Sequence, residues 1–427
     1  MPWKCLSRRR ISLTSYRGEK IFFLVVSLVA WLLAITSAGA AAGEKEKAAT
    51  ARIRETVEFL ADDQMQGRGL GTKGLDRAAG FIGQEFMRLG LKTDLCDGGT
   101  FQTFTVRVRS KNQRQQIDWL GVLRQIGVKA DDKKQNADKD AKHNQNKGPE
   151  PPLHRDPGTL SNNSTAPLKN AEPRTAKIKN VVAALEGRGP RAEETIVIGA
   201  HYDHLGEQHT DDGETIVMNG ANDNASGTTA LLEVARILSS RKEKLPRRIV
   251  FVAFSGEELG LLGSLHYVDH PVVPLDKTIA MINLDMVGRL QDDSLITMGT
   301  GCSPMLSDTA ERIAREHRLQ LLPVRLSLPC SDHAPFHAHG VPVIFFATTA
   351  GWGDYHGPSD DAEWLNYNGI RRVSEMTADL AVTVAKTEKR PEFTSESFSG
   401  TLMRGMVRVL GRAAKEMATE PSDDSGQ

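Results

Sequence analysis

The sequence predicts an α/β fold of three layers, with helices covering both faces of a mixed, mostly parallel central sheet. Three observations carry this. From Lys177 onward, short apolar runs alternate with longer segments of helical periodicity. The runs are apolar almost throughout, as strands buried on both faces must be. Polar residues with chemical reach follow directly after several runs, where α/β sheets gather their ligands.

The elements follow in chain order. Residues 1–40 read as a secretory signal peptide. Lys4, Arg8, Arg9, Arg10, Arg17 and Lys20 form a cationic lead, Ile21–Ile35 is apolar, and Ala38-Gly39-Ala40 fits a cleavage site after Ala40. Fifteen apolar residues are short of the about 20 that a membrane span needs. No stable membrane span is therefore expected after cleavage, and the expected location is exported, periplasmic or extracellular. Residues 41–110 are expected to be an N-terminal helical part of the main domain, with helices over Ala48–Leu60 and Gly74–Leu89. Between them Gly69–Gly74, "GLGTKG", matches G-x-G-x-x-G formally. The preceding "LADDQMQ" is not a strand, so a surface turn is expected rather than a dinucleotide site.

Residues 111–176 form a low-complexity, largely disordered insertion in this reading. Across Lys129–Ala176 the only large apolar side chains are Leu153, Leu160 and Leu168, too few to offset the entropy of ordering. Residues 177–388 are expected to form the main domain, which the motifs below mark as catalytic. Its expected strands are Asn180–Leu185, Thr195–Ala200, Arg248–Phe254, Thr278–Asp285 and Val341–Ala347. Its expected helices are Ala225–Ser240, Leu259–Val268, Pro304–Glu316 and Asn366–Ala385. Residues 389–427 are expected to hold one helix, around Thr401–Met417, and a disordered acidic tail.

Charge and cysteine usage narrow the function. The whole chain is balanced at 54 basic and 54 acidic residues, and without residues 1–40 it carries 48 and 53, a net charge of −5. Nucleic-acid binders need a basic face, so no nucleic-acid partner is expected. Cys96, Cys302 and Cys330 remain beyond the leader, and a Cys302–Cys330 disulfide is the expected pairing in an exported protein. Without a C-x-x-C, cysteine-ligated zinc is disfavoured. The absence of H-E-x-x-H and G-x-S-x-G in the sequence argues against single-zinc helical metalloproteases and serine hydrolases.

The residues at the strand ends carry the chemistry. His201 and Asp203 follow Thr195–Ala200, Glu257 and Glu258 follow Arg248–Phe254, and Asp285 ends Thr278–Leu284. His356 follows Val341–Ala347, and Asp223 opens the helix after the first loop. Two histidines and three carboxylates are zinc-type ligands, with a glutamate to spare. Acids buried with no nearby Lys or Arg need a cation, because an unpaired buried carboxylate costs several kcal/mol. His204, His209, His333, His337 and His339 cluster around these motifs and are expected to line the pocket as hydrogen-bonding groups.

"HYDHLG", "NGANDNASGTTALLEVAR", "RRIVFVAFSGEELGLLGS", "MINLDMVGR", "CSDHAPFHAHGVPVIFF" and "DYHGPSD" stand in one order along the chain. They closely resemble the secreted co-catalytic dizinc aminopeptidases, relatives of bacterial leucyl aminopeptidase and aminopeptidase Y. The resemblance covers Arg52–Arg107 loosely and Asn180–Lys386 closely, and it implies a zinc-exopeptidase fold. By this resemblance Asp223 bridges two Zn2+ ions, His201 and Asp285 complete one site, and Glu258 and His356 complete the other. It further implies Glu257 as general base, Asp203 as the residue orienting His201, a cis Asp223–Asn224 bond and Tyr355 as a candidate to stabilise the oxyanion. The implied substrates are peptides with a free N-terminus.

The same resemblance holds rivals. A glutaminyl-cyclase-like transferase binds one zinc and lacks the full ligand set, and retention of His201 and Asp285 disfavours it. A non-catalytic, transferrin-receptor-like protein loses ligands, and none is lost here. A carboxypeptidase, as among glutamate carboxypeptidase relatives, shares the ligands and needs a base for the substrate carboxylate, for which Arg289 is the candidate.

Overall fold

The computed structural model describes residues 43–108, 174–210, 212–324, 329–394 and Val407. The chain forms two compact units, residues 1–52 and 53–427. In the first, the described residues 43–52 are helical and largely exposed. The expected disordered tail and the helix around Thr401–Met417 lie outside the described residues, Val407 apart, as does the insertion up to residue 173. No helix among the described residues is long and apolar enough to cross a membrane.

The second unit is built on an eight-stranded sheet. Its strands are β1 (Phe101–Val108), β2 (Arg174–Leu185), β3 (Thr195–His201), β6 (Arg248–Phe254), β7 (Thr278–Leu284), β8 (Ser294–Met298), β9 (Gln320–Pro323) and β10 (Val343–Thr348), while β4 (Gly206–His209) and β5 (Thr215–Met218) form a separate hairpin. The order across the sheet is β1-β2-β6-β3-β7-β10-β8-β9. The centre is parallel: β3 pairs with β6 and β7, and β7 with β10. Antiparallel contacts join β1 to β2, β2 to β6 and β8 to β10.

Alternation along the strands sorts side chains to two faces. Val181, Ala183, Ile196, Ile198, Ile249 and Phe251 pack into the larger core, with the helices Lys73–Arg88, Gly227–Ser239, Pro304–Glu316 and Tyr367–Lys386. Their neighbours Val182, Ala184, Val197, Val250, Val252 and Phe254 pack the other face, with Tyr267 and Val268 of helix Leu262–Asp269 and Phe336 of helix His333–Ala338. The three-layer expectation holds, and each expected strand and helix of the catalytic domain is present within a few residues.

Four expectations need correction. Residues 174–176, placed in the insertion, belong to β2, where Arg174 pairs with Val108. The helical N-terminal part also contains β1, whose FQTFTVRV alternation marks an edge strand with one covered face. The Gly-rich turn is only partly at the surface, because Gly69 and Gly74 are buried. Cys96, Cys302 and Cys330 are all free thiols. Cys302 instead exchanges hydrogen bonds with the backbone of Val343, and Cys330 lies 3.6 Å from the Met298 sulfur.

Candidate metal centre

The order of strand addition reverses around β3: the connection through helix Gly227–Ser239 leads to β6 on one side, and β7 then follows on the other. Such a switch point opens a crevice beyond the carboxyl ends of the strands. His201 is the last residue of β3, and Asp285 follows β7 directly. Glu257 and Glu258 lie three and four residues beyond β6, and His356 lies in the loop after β10. Asp223 sits in the irregular turn Ala221–Ser226, where the Asp223–Asn224 bond is cis.

These five candidate ligands converge from 155 positions of sequence. Asp223 faces both histidines, with Oδ1 3.3 Å from His201 Nε2 and Oδ2 3.1 Å from His356 Nε2. Each imidazole nitrogen also meets a second carboxylate: Asp285 Oδ1 at 3.3 Å from His201, and Glu258 Oε2 at 3.1 Å from His356. The result is two sets of one nitrogen and two oxygens that share Asp223, and atoms of His201, Asp223 and Glu258 lie within 4.8 Å of one another. Borderline metals such as zinc take this donor chemistry. The residues present therefore fit zinc.

Electrostatics describes the same cluster. Burial pushes the Asp223 carboxyl up, but hydrogen bonds from His201 and His356 hold it well below the usual range. Burial works against Glu258 too, and His356 and His204 hold it down at about 2. Burial lowers His356, and the carboxylates of Glu258 and Asp223 outweigh it, raising the imidazole to about 11. Glu257 goes the other way. Burial raises it well above its ordinary value, only partly offset by His201, and Glu258, Asp285 and Asp332 add repulsion. The adjacent glutamates thus sit in different environments, one clasped by imidazoles and one repelled by carboxylates.

Polar side chains tie the ligand loops together. The Asp203 carboxylate accepts the N–H groups of Glu257 at 3.2 Å and Glu258 at 3.3 Å. Its carbonyl is 3.2 Å from His201 Nδ1, nearer than its carboxylate at 3.8 Å. Asp203 therefore braces the paired glutamates as well as facing His201. The Asp360 carboxylate accepts N–H groups from Asn222 and Asp223 at 2.9 Å. Asn224 donates to the Leu284 carbonyl at 3.0 Å and accepts from Met286 N–H at 3.2 Å, clasping both sides of Asp285. A Cβ on Gly227 would stand 2.2 Å from Asn224 Oδ1, so this approach requires glycine. Asn180 of β2 accepts the Ser255 N–H at 3.2 Å and so fixes the start of the Glu257 loop.

Several of these residues escaped the sequence reading. Asp360 and Asn224 stand in the quoted motifs, but nothing in a motif tells which backbone groups a side chain will meet. His204, expected as a pocket histidine, lies 2.7 Å from Glu258 Oε1 through Nδ1. His209 is exposed on β4, whereas His333 and His337 are buried. Arg289 is buried and ion-paired with Asp354, with Asp360 Oδ1 at 3.8 Å. Tyr355 stacks on His356 at 3.7 Å between ring centroids and lines the pocket with His201, Glu257, Met286, Met298, Phe345 and Trp352. Burial, then the surrounding carboxylates, hold its phenol protonated.

Residues 180–381 match the sequence profile of Peptidase family M28. Aminopeptidase YwaD of Bacillus subtilis is 29% identical over 247 residues, 55% of this chain and 50% of that protein. A probable leucine aminopeptidase of Trichophyton verrucosum is 31% identical over 180 residues, 40% of this chain and 45% of its own. The chain thus spans about half the length of the curated relatives it matches. Among solved structures, BSAP, a zinc aminopeptidase from Bacillus subtilis, superposes with a TM-score of 0.53 at 18% identity, covering 82% of this chain and 98% of that one. A glutaminyl cyclase of Porphyromonas gingivalis reaches 0.52 at 17%, covering 79% and 97%. At these identities the superpositions speak for the fold alone.

Proposed function

We propose, from the premise that residues 180–381 form a Peptidase family M28 domain, that the protein is an exported zinc-dependent aminopeptidase that removes N-terminal residues from peptides. The observation that carries this reading is the sharing of Asp223 between two nitrogen–oxygen–oxygen sets, His201 with Asp285 and His356 with Glu258. His201, Asp223 and Asp285 would hold one Zn2+, and Asp223, Glu258 and His356 the other. Bound zinc supplies Lewis acidity, lowering the pKa of water and polarising the scissile carbonyl.

The chain's own groups do the rest. Glu257 lines the pocket beside His201, Asp223 and Asp285 without belonging to either set. A carboxylate so placed can take a proton from the attacking water and return it to the leaving amine. Tyr355, protonated and beside His356, can donate a hydrogen bond to the developing oxyanion. Asp203 and Asp360 hold the loops so that the acids do not drift apart under mutual repulsion.

Two rivals are weakened by particular contacts. A carboxypeptidase would need Arg289 for the substrate carboxylate, but its guanidinium is buried and committed to Asp354. A single-zinc glutaminyl-cyclase-like transferase would have no use for a second complete set. The test pairs metal analysis with substrates: two zinc ions per chain, and cleavage of free but not N-acetylated peptides. Cleavage of the blocked peptides at a comparable rate would overturn the aminopeptidase reading.

A further inference from the structure

An unexpected cation stands directly before the motif set aside as a surface turn. Arg68, directly before Gly69, is fully buried. Its hydrogen bonds run to backbone carbonyls: Nε to Tyr202 at 2.8 Å, Nη1 to Leu60 at 2.5 Å and Asn219 at 2.8 Å, and Nη2 to Gly220 at 2.8 Å. Tyr202 lies between His201 and Asp203, and Gly220 opens the turn that carries Asp223. In return the Arg68 carbonyl accepts the His204 N–H at 3.2 Å. One residue therefore grips both loops that supply the His201 and Asp223 ligands.

The backbone on either side is pressed into place. Gly67 has φ of +55°, and a Cβ there would stand 2.4 Å from the Gly206 carbonyl oxygen and 2.5 Å from that of Met218. A Cβ on Gly69 would stand 2.6 Å from Gly206 Cα. The turn is thus seated on the β4–β5 hairpin, which itself joins the His201 loop to the Asp223 turn. Burial lowers the Arg68 pKa to about 10, and Asp223, Asp360, Asp203 and Glu258 pull the other way, so the group stays cationic. The expectation that no Lys or Arg lies near these acids is corrected here.

We infer that Arg68 is a positioning residue for the metal centre, its guanidinium holding the His201 and Asp223 loops at the spacing that shared coordination needs. The inference rests on the proposed two-zinc reading. Lysine cannot substitute, because a point ammonium with three donors does not reproduce a planar fork that spans four carbonyls.

The test measures zinc affinity of the full chain by chelator competition, with steady-state kinetics and denaturant unfolding, for wild type and Arg68→Lys. Removing a partner that orients ligands typically costs about 10–100-fold in metal affinity or activity. The expected result is a weakening of zinc binding in that range, a similar fall in kcat and little change in KM. Zinc binding and kcat within about twofold of wild type would overturn the inference, even if the variant were less stable, because that is the signature of a purely structural role. Should Arg68→Lys not fold, Gly69→Ala probes the same link by driving the turn against Gly206 while leaving the guanidinium. Weaker zinc binding in that folded variant supports the inference, and unchanged binding overturns it. Wild type that binds no zinc would instead sink the reading on which the inference rests.

Discussion

Replacing Glu257 by Gln tests the division of labour between the two adjacent glutamates. The change is nearly isosteric, and the Glu257 N–H bond to Asp203 survives it. Neither set of candidate ligands includes Glu257, so both zinc ions should stay. What disappears is the capacity to accept a proton. Loss of a general base is typically worth 10²–10⁴-fold, or about 3–5 kcal/mol of barrier at about 1.36 kcal/mol per decade. KM should change little, since no binding group is removed. The metal-free variant should be at least as stable as wild type, because burial and the repulsion from Glu258, Asp285 and Asp332 outweigh the attraction of His201 for a carboxylate there. Glu258→Gln is the contrast. Its carboxylate lies 3.1 Å from His356 Nε2 and 2.7 Å from His204 Nδ1, so zinc content and activity should fall together. Zinc per chain by plasma emission, with kcat and KM on an unblocked peptide, separates the two. The assignment is refuted if Glu257→Gln loses zinc, or if it keeps zinc and wild-type kcat.

Three further outcomes follow from the same structure. Chelation should lower Tm and zinc should restore it: a ligand at 100 times Kd adds about 2.7 kcal/mol, or roughly 3–5 °C for a domain of this size, and scanning calorimetry with no shift would contradict a buried metal centre. Because Val108 pairs with Arg174, the 65 residues between them close one antiparallel hairpin, and a four-residue Gly-containing turn should replace them. Four halvings of loop length stabilise by about 2–3 kcal/mol at most, read as a raised urea midpoint, and a loss of activity on small peptides with the fold intact would show the segment shapes the site. His266, stacked between Phe104 and His270, is pushed down to about 4 by burial and by His270. Above pH 6.5 neither state holds the proton; as pH falls from there towards 4 the unfolded chain takes up a proton that the folded one refuses, so stability drops. His266 is only half-buried, so about 1 kcal/mol should be recovered by His266→Phe at pH 5 and little at pH 7, and equal urea midpoint changes at both pH values would refute it.

The central strands were legible because TIVIGA, RIVFVAF and TIAMINL are apolar on both faces, which only a doubly covered strand tolerates. His201, Glu258, Asp285 and His356 drew notice because they end such runs or follow them, whereas Asp223 stands in the turn that opens a helix. The edges were not legible: SLITM and QLLP are too short to establish a period, and β1 alternates within a segment dominated by helices. The bracing groups were hidden for another reason. Asp360 and Asn224, and Asp203 in its hold on the Glu257 and Glu258 N–H groups, act on backbone N–H and C=O groups, which every residue possesses, so no side-chain pattern announces the partner. Arg68 drew no notice at all, because an arginine beside glycines looks solvated until the carbonyls that surround it are known.

The reach of Arg68 has a consequence for when the centre comes into being. Three of its four acceptors lie 134, 151 and 152 residues further along the chain. At roughly 5–20 residues per second, a ribosome delivers them about 7–30 s after the arginine. Until then only the Leu60 carbonyl, eight residues upstream, is at hand, and water must satisfy the rest. Closure over such separations is slow and comes late. A nascent chain that already displays His201 would therefore still lack the frame around it, so tight metal capture should belong to the finished domain rather than to the growing polypeptide.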